Sequence, residues 1–491
     1  MFNWFKREVS KLNDLINKPE EKSPENMNYL EYLIFSHRGS PIRKNQIIGD
    51  NYYRGKHDIL KKQRTMIGQN GKLEVVDNIP NNKRIDNQYG IHVNKKVNYL
   101  MGKVPTYTSE NNKLTEAVKD ILNNRFTRTL KNTLKHAING GIGYMYVYLN
   151  DKSELQFKTI KPYEAIPVWE DDSHEKLNFF VRVYKQIDFV AGQEREIEYA
   201  EVYGTEKLTR YKLHGNTPVR IEEIPYITRI DDEIGYNWQG IVPIIPFKYN
   251  AEEIPLILKV KSLQDGINEI LSNFNDNMDE SPRNTILVIQ NYDGQNLGEF
   301  RRNLATYGAV KVKNDGDVRG LQVEVNASNY LSILEVLKNA LIENAMSYDA
   351  KDDRLSGNPN QMNIQSMYSD IDIDSNALET EFKASFEELS DFIKMYLVSV
   401  KGLSFADKDR IDITFNKDVL INESQVISDI KCSVGVLSNE TLIENHPYID
   451  DVRKELKRIQ GEKEKAMQEM EMHMQKEDQS AYNDVGAGHE E

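Results

Sequence analysis

Three aspartates at alternate positions, Asp370, Asp372 and Asp374, followed by Ser375 and Glu381, copy the carboxylate spacing of an EF-hand calcium loop. With magnesium bound, the same trio is what a metal-dependent nuclease or phosphoesterase would use to activate water beside a phosphodiester. The calcium reading fails at one key position. Ser375 stands where glycine is needed for the sharp turn, and Ile371 and Ile373 put bulky apolar groups where a solvated loop belongs. The plainer reading is that these acids favour a helix N-terminus through its dipole. No cofactor is expected, and the three aspartates stand as the metal candidates.

The other chemical signatures are thin. Gly140, Gly141 and Gly143 follow a helical stretch and precede a strand, the reverse of a dinucleotide fingerprint, and read as a helix C-cap. No GxxxxGK[ST] phosphate loop occurs, so the chain lacks the basic part of an ATP-driven motor. His37, His57, His92, His136 and His446 show no HExxH-like spacing, no GxSxG elbow exists, and Cys432 sits in an amphipathic stretch. Lys259, Lys261 and Lys338, with Lys351 and Arg354, are the basic residues placed to touch phosphates, although a solvated helix face explains them equally well.

Composition narrows the class. With 491 residues, two to four structural units are expected. A hydrophobic fraction of 39%, a charged fraction of 29% and a mean hydropathy of -0.64 favour segmented units with much exposed surface. The net charge of -14 argues against tight binding of nucleic acid but suits a wall past which DNA slides. One cysteine fits a reducing compartment, and neither a membrane span nor a secretory signal is visible. The opening segment places Phe2, Phe5, Val9, Leu12 and Ile16 on one helical face, which predicts a terminal helix docked on its own domain or a neighbour.

The elements that must position these residues follow from periodicity. Residues 27–132 read as helices and turns, with a polar loop over 69–82 and a helical spacing at Val93, Val97 and Leu100. A helix is predicted over 112–139, then a strand in YMYVYLN. LQFKTI, FFVRVYK, IEYAEVYG and TRYKLH predict an antiparallel meander closed by GIVPIIPFKYN, where Pro243 and Pro246 mark an edge or exit. Leu256, Val260, Leu263, Ile267, Ile270 and Phe274 then repeat every 3.5 residues, so one helix face meets other helices. A second helix carries Tyr330, Leu334, Leu337, Leu341 and Ala345 on one face with Ile333 and Ala340 alongside, which implies two neighbours. Between them lies a small insert predicted as strand, helix, strand, strand. A polar loop follows the second helix, and Leu378, Phe382, Phe386, Leu389, Ile393 and Tyr396 make the buried stripe of a long helix reaching about residue 400. RIDITF predicts a strand, residues 422–459 short helices, and the segment after Gly461 a frayed helix and disordered tail.

This order of segments resembles the portal, or head-to-tail connector, family of long-tailed phages. YYRGKHDIL, VNYLMGKVPTY, NGGIGYMYVYLN, IVPIIPFKYN, SLQDGINEILSNFNDNMDE and SNETLIENHPYIDDVRKELKRI look like that family's text. The resemblance implies an α+β, mainly helical portal fold: a wing at 1–253, stem helix 1 at 254–281, a small α/β clip at 282–326, stem helix 2 at 327–347, a tunnel loop at 348–362, a long wing helix at 363–405, a helical crown at 406–461 and a charged tail at 462–491. It implies a non-enzymatic ring, typically of twelve copies, at one capsid vertex of the virion, assembled in the host cytoplasm and conducting double-stranded DNA in packaging and ejection. The implied partners are the chain itself, DNA, the terminase large subunit, the major capsid protein and scaffold, and a head-completion adaptor, with no membrane. Lys351, Arg354, Asn358, Asn360 and Gln361 would face DNA, and Lys259, Lys261 and Lys338 would be candidates for the channel wall. The apolar stripe from Leu256 to Phe274, with Leu334, Leu337 and Leu341, would be the stem's assembly interface. The DIDID run and the tail depart from the family's text. An oligomeric scaffold without a channel and the metal-dependent hydrolase are the competing readings.

Overall fold

Asparagine is the recurrent helix starter. Asn26 accepts the backbone N–H groups of Asn28 and Tyr29 and opens α1 (Met27–Gly39), and α2 (Pro41–Tyr53) starts on a proline whose missing N–H a first turn does not need. Strands β1 (Thr65–Ile67) and β2 (Leu73–Val75) form a hairpin whose second strand falls inside what the sequence reads as polar loop. Asn87, Asn111 and Asn123 cap α3 (Gln88–Met101), α4 (Asn112–Val118) and α5 (Asn124–Gly140), with β3 (Thr106–Thr108) ahead of α4. The single helix expected over 112–139 is therefore two, because the Asn123 cap forces a break after the buried Leu122. This computed structural model describes residues 22–485 except 68–70, 78, 191, 231–232, 237, 281–285, 293–295, 308–310, 322–326, 352–360, 407, 418–422 and 450–451. The apolar stripe from Phe2 to Ile16 lies outside the described residues.

Helix α5 ends at Gly141, whose φ of 83° and whose missing Cβ, which would stand 1.9 Å from the Glu253 carbonyl oxygen, leave room for glycine alone. The expected C-cap is there. β4 (Ile142–Leu149) and β5 (Leu155–Ile160) follow, and then a meander of β6 (Ala165–Trp169), β7 (Leu177–Val190), β8 (Gln193–Tyr203), β9 (Lys207–His214) and β10 (Thr217–Pro225), hydrogen-bonded in the order β10-β9-β8-β7-β6; the LQFKTI run expected in it is β5, which pairs with β4 instead. Leu30 and Ile34 of α1 cover one face of it over Phe179, Val181, Ala200 and Val202. A short hairpin, β11 (Ile227–Ile230) with β12 (Glu233–Tyr236), leads to β13 (Ile244–Lys248). β13 does not close the meander. It pairs with β4 as the edge of a separate three-stranded sheet, β13-β4-β5, where Pro246 withdraws no donor from a central ladder.

The two long helices are α6 (Ile257–Glu280) and, after β14 (Ile286–Tyr292), α7 (Leu297–Tyr307) and β15 (Val312–Leu321), α8 (Ala327–Asn344). β14 and β15 pair antiparallel with a bulge at Gln290/Tyr292. β15 runs through the KNDGD stretch where a turn between two strands was expected, and most of LQVEV lies outside the described residues. The helix α9 (Gln361–Ser399) starts before the expected Asn363. It buries Leu378, Phe382, Phe386, Leu389 and Ile393, at roughly 1.5–3 kcal/mol for each large side chain removed from water.

The chain forms two compact units. One comprises Met1–Tyr348 with Asp370–Asp418, the other Asp349–Ser369 with Val419–Glu491. The strand β16 (Asp412–Thr414) pairs with β3, so the first unit extends past residue 405, where the C-terminal segment was expected to begin. In the second unit α10 (Glu423–Cys432), α11 (Asn439–Glu444) and α12 (Val452–Val485) follow one another. The helix α12 continues far past Gly461, where fraying and disorder were expected.

Candidate functional site

Helix α6 carries two unlike faces. Leu256, Ile257, Val260 and Ile267 are buried in the main core. Beside them Gln264, Asn268, Ser272 and Asp276, each four residues from the next, are fully buried polar side chains. Each finds its partner in the extended segment 82–87 or in the first turn of α3 that follows it. Gln264 Oε1 accepts the Tyr89 N–H at 2.8 Å while its Nε2 donates to the Asp86 carbonyl at 2.7 Å. Asn268 Oδ1 accepts the Asp86 N–H at 3.0 Å, Ser272 Oγ that of Arg84 at 2.9 Å and Asp276 that of Asn82 at 2.6 Å. Four helical residues advance about 6.0 Å and two extended ones about 6.6 Å, so Asp276, Ser272 and Asn268 meet every second amide, at 82, 84 and 86, while Gln264 meets the first turn of α3 at Tyr89. Lys62 at 2.7 Å and Arg64 at 3.1 Å neutralise Asp276, whose carboxyl, despite burial, is held below its usual range by these hydrogen bonds and charges.

Helix α8 lies against α6. Leu337 packs over Gly266, Phe274 meets Tyr330 with ring centroids 5.1 Å apart, and Asn277 donates to the Tyr330 hydroxyl at 2.7 Å. Leu341 and Ala345 are buried, and Leu263, Leu334 and Leu337 are half-buried against the same core. Of the residues expected at the assembly interface, Leu256, Val260, Ile267 and Leu341 are buried within the chain's own core. Ile270 and Phe274 are half-buried. The apolar residues that stay open on α8 are Leu331 and Val336, each 66% exposed, and Ile333.

The end of α8 is held by three side chains of α3. His92 Nδ1 lies 2.8 Å from Ser347 Oγ, Lys95 donates to the Tyr348 carbonyl at 2.6 Å, and Lys96 donates to the Met346 carbonyl at 3.1 Å. Lys96 also pairs with Asp374 of α9 at 2.6 Å, and the Tyr249 hydroxyl donates to the same carboxylate at 3.2 Å. Asp372 accepts from Tyr99 at 2.9 Å and from Lys417 at 3.1 Å. The acidic run therefore sits inside α9 rather than at its N-terminus or in a loop. Two of its carboxylates serve separate lysines, and among the described residues no group of acids, histidines or cysteines is arranged to hold a metal.

Burial drives the His92 imidazole down from its ordinary 6.5 to about 3, with Lys95 and Lys96 adding to the effect. The folded chain keeps it neutral, whereas the unfolded chain protonates it below about pH 6.5, so its contribution is intact above that pH and lost as pH falls toward 3. His37 and His136, each pushed to about 4 chiefly by burial, act in the same direction. The unfolding free energy from urea titration is expected to be flat from pH 8 to 7 and to fall below 6.5, by up to about 1.4 kcal/mol per pH unit for each such group. His92→Asn should make that fall shallower, and an unchanged slope would refute the assignment.

Of the lysines expected on a channel wall, Lys261 bonds Asp58 at 2.7 Å and Asp265 at 2.6 Å, and Lys338 bonds Asp86 at 2.7 Å. Both are tied into the chain's own ion pairs, and Lys259 is the exposed one. In the polar loop Lys351 is exposed and Gln361 begins α9, while Arg354, Asn358 and Asn360 lie outside the described residues. The sequence reading missed the polar ladder and the His92–Lys96 anchor. The signals were present: a short polar residue at every fourth position of α6, and two titratable groups four apart on a helix otherwise read for its apolar stripe.

An α+β architecture with a paired long-helix element and a small β-α-β insert between its helices is the frame into which the comparisons fit. The family described as "Phage portal protein, SPP1 Gp6-like" matches residues 42–469, and the chain belongs to it. The portal protein of Bacillus phage SPP1 is 27% identical over 468 residues, covering 93% of this chain and 90% of the relative. The portal protein of Clostridium phage phiCD119 is 26% identical over 446 residues, covering 86% and 94%. A chain from the neck of a native GTA particle aligns at 13% identity and a TM-score of 0.38 over 72% of this chain and 89% of its own. The protein is thus a bacteriophage head-to-tail connector, and roles in genome packaging and at the capsid vertex follow from the family. No helix among the described residues is long and apolar enough to cross a membrane.

Proposed function

We propose that the chain assembles into a closed ring of twelve copies at one capsid vertex and conducts double-stranded DNA during packaging and ejection, without catalytic chemistry of its own. Membership of the portal family carries the reading. It is supported by Leu331, Ile333 and Val336, which a chain packed only against itself leaves in water and which a neighbouring copy would cover in a cyclic head-to-tail contact. In this reading residues 1–253 with 363–405 are the wing, α6 and α8 the stem, 282–326 the clip, 348–362 the tunnel loop, and the C-terminal helices the crown. Lys351, Arg354, Asn358, Asn360 and Gln361 make sequence-blind contact with passing DNA, with Lys259 on the stem. The clip receives the terminase large subunit and later the head-completion adaptor, the wing meets the major capsid protein and scaffold, and assembly takes place in the host cytoplasm. The hydrolase alternative is not favoured, because Lys96 and Lys417 already occupy Asp374 and Asp372.

Native mass spectrometry with negative-stain imaging of one sample tests the ring. The expected species has a central hole and a mass on the order of 0.7 MDa, twelve copies of 56.9 kDa in a closed cycle. A compact dimer without a hole would sink the proposal.

A further inference from the structure

The outer face of the β4–β5 sheet and the near ends of β8, β9 and β10 enclose a cleft of about 500 Å³ in the first unit. Its walls are aromatic: Tyr146 stacks on Tyr148 at 5.1 Å and meets Tyr203 edge-on at 4.8 Å, and Tyr226 and Trp238 complete the lining. Lys158, which faces Tyr146 across the strand pair, supplies a cation free of ion pairs among the described residues, whereas Arg210 is paired with Glu201 of the lining at 3.3 Å and with Glu222 at 3.1 Å. Two donors in it lack a partner. The Tyr226 hydroxyl, on a residue only 6% exposed, and Arg210 Nε are both buried without a hydrogen bond. A buried donor left unpaired is costly, so each of the two calls for an acceptor, which water or a partner's polar group supplies.

The opposite end of the same meander has the complementary defect. The apolar face that α1 covers at Val181 and Val183 runs on, uncovered, to Ile187 (67% exposed) and Phe189 (76% exposed). Glu194, directly across from Phe189 in register, is exposed on that face and makes the tip acidic. Strand β8 joins the two features, since Glu194 lies near its start and Tyr203 ends it. Nine residues apart, they are separated by about 30 Å of strand, so the tip cannot fold back into its own cleft.

We propose that the β7–β8 hairpin tip of one copy inserts Ile187 and Phe189 into the aromatic cleft of the next copy, with Glu194 beside Lys158 and acceptors of the tip meeting the Tyr226 hydroxyl and Arg210 Nε. Apolar knob and Glu194 match aromatic pocket and Lys158, and a knob and pocket at opposite ends of one strand make a heterologous contact that propagates from copy to copy. The inference rests on the ring reading and adds a second contact to it, remote from α8.

The test uses the full-length chain with p-benzoylphenylalanine replacing Phe189. Its native mass is measured before irradiation, and the cross-linked peptides are mapped afterwards. Rings that yield covalent dimers joined at 144–150, 203–210 or 226–238 are the expected result. Rings of unchanged mass with cross-links elsewhere, or none, overturn the hairpin contact and leave the ring reading standing. Failure to form rings before irradiation removes the ring reading, and the hairpin contact with it. As a second variant, Phe189→Glu should melt like the wild type, because the site is exposed, yet raise the concentration for half-assembly at least about tenfold. Unchanged assembly would also overturn the proposal.

Discussion

Ile267→Asp is expected to abolish folding of the subunit, and not merely its assembly. Ile267 is fully buried in the main core between α6 and its neighbours, and an unpaired carboxylate there costs several kcal/mol on top of the lost packing. That sum is comparable to the whole stability of a typical domain, about 5–15 kcal/mol. The paired change Leu331→Asp with Val336→Asp should do the opposite. Both positions are 66% exposed, so the melting transition should stay close to wild type while the ring mass disappears. Circular dichroism and native mass on the two variants decide the matter. A soluble, native-like Ile267→Asp chain would contradict the packing described for α6, and intact rings from the double variant would show that α8 is not the interface.

Lys96→Met should rank next in effect. Lys96 is 2% exposed, its ammonium is pushed down by burial and held up by Asp374, and its removal leaves that carboxylate without its cation inside the fold. Breaking one side of a buried pair typically destabilises by about 3–5 kcal/mol. A shift of the urea midpoint at unchanged m-value would measure it. Replacing both partners, Lys96→Met with Asp374→Leu, should recover much of the loss, since two apolar groups leave no charge unanswered. If the double variant were as unstable as the sum of the single ones, the pair would not be coupled and the role given to Lys96 would fall.

What was legible in the sequence is what repeats locally. The four strand runs alternate with period two, although LQFKTI joins β4 rather than the meander, the stripes of α6, α8 and α9 follow helical spacing, and Gly141 announces a helix end. Each is set by neighbours within a turn or a strand. The pairing of Asp412–Thr414 with Thr106–Thr108 joins segments some three hundred residues apart, and three-residue strands carry too little pattern to reveal it. The α6 stripe was legible as apolar but not as intrachain, because a heptad reports that a face is covered without naming the cover. The DIDID run misled for a related reason. Its carboxylates find Lys96 and Lys417, both distant in sequence, and spacing along the chain contains no trace of them. The polar ladder escaped because its partners are backbone amides of an extended segment, which have no residue type to recognise.

That ladder also sets how the first unit carries load. Three side chains of α6 hold the extended segment 82–86 with bonds that run across the helix axis, rung after rung, and Gln264 holds the first turn of α3 beyond it. A push along α6 strains all of the rungs together, in shear, whereas a pull that lifts the segment at Asn82 opens them singly, as a zipper does. The pair is therefore stiff in the direction of the helix and peelable across it. Its register also has no slack. A one-residue insertion between Asn82 and Asp86 would carry alternate amides to the wrong side and disengage several rungs at once, while the same insertion in the β1–β2 hairpin would leave every rung in place.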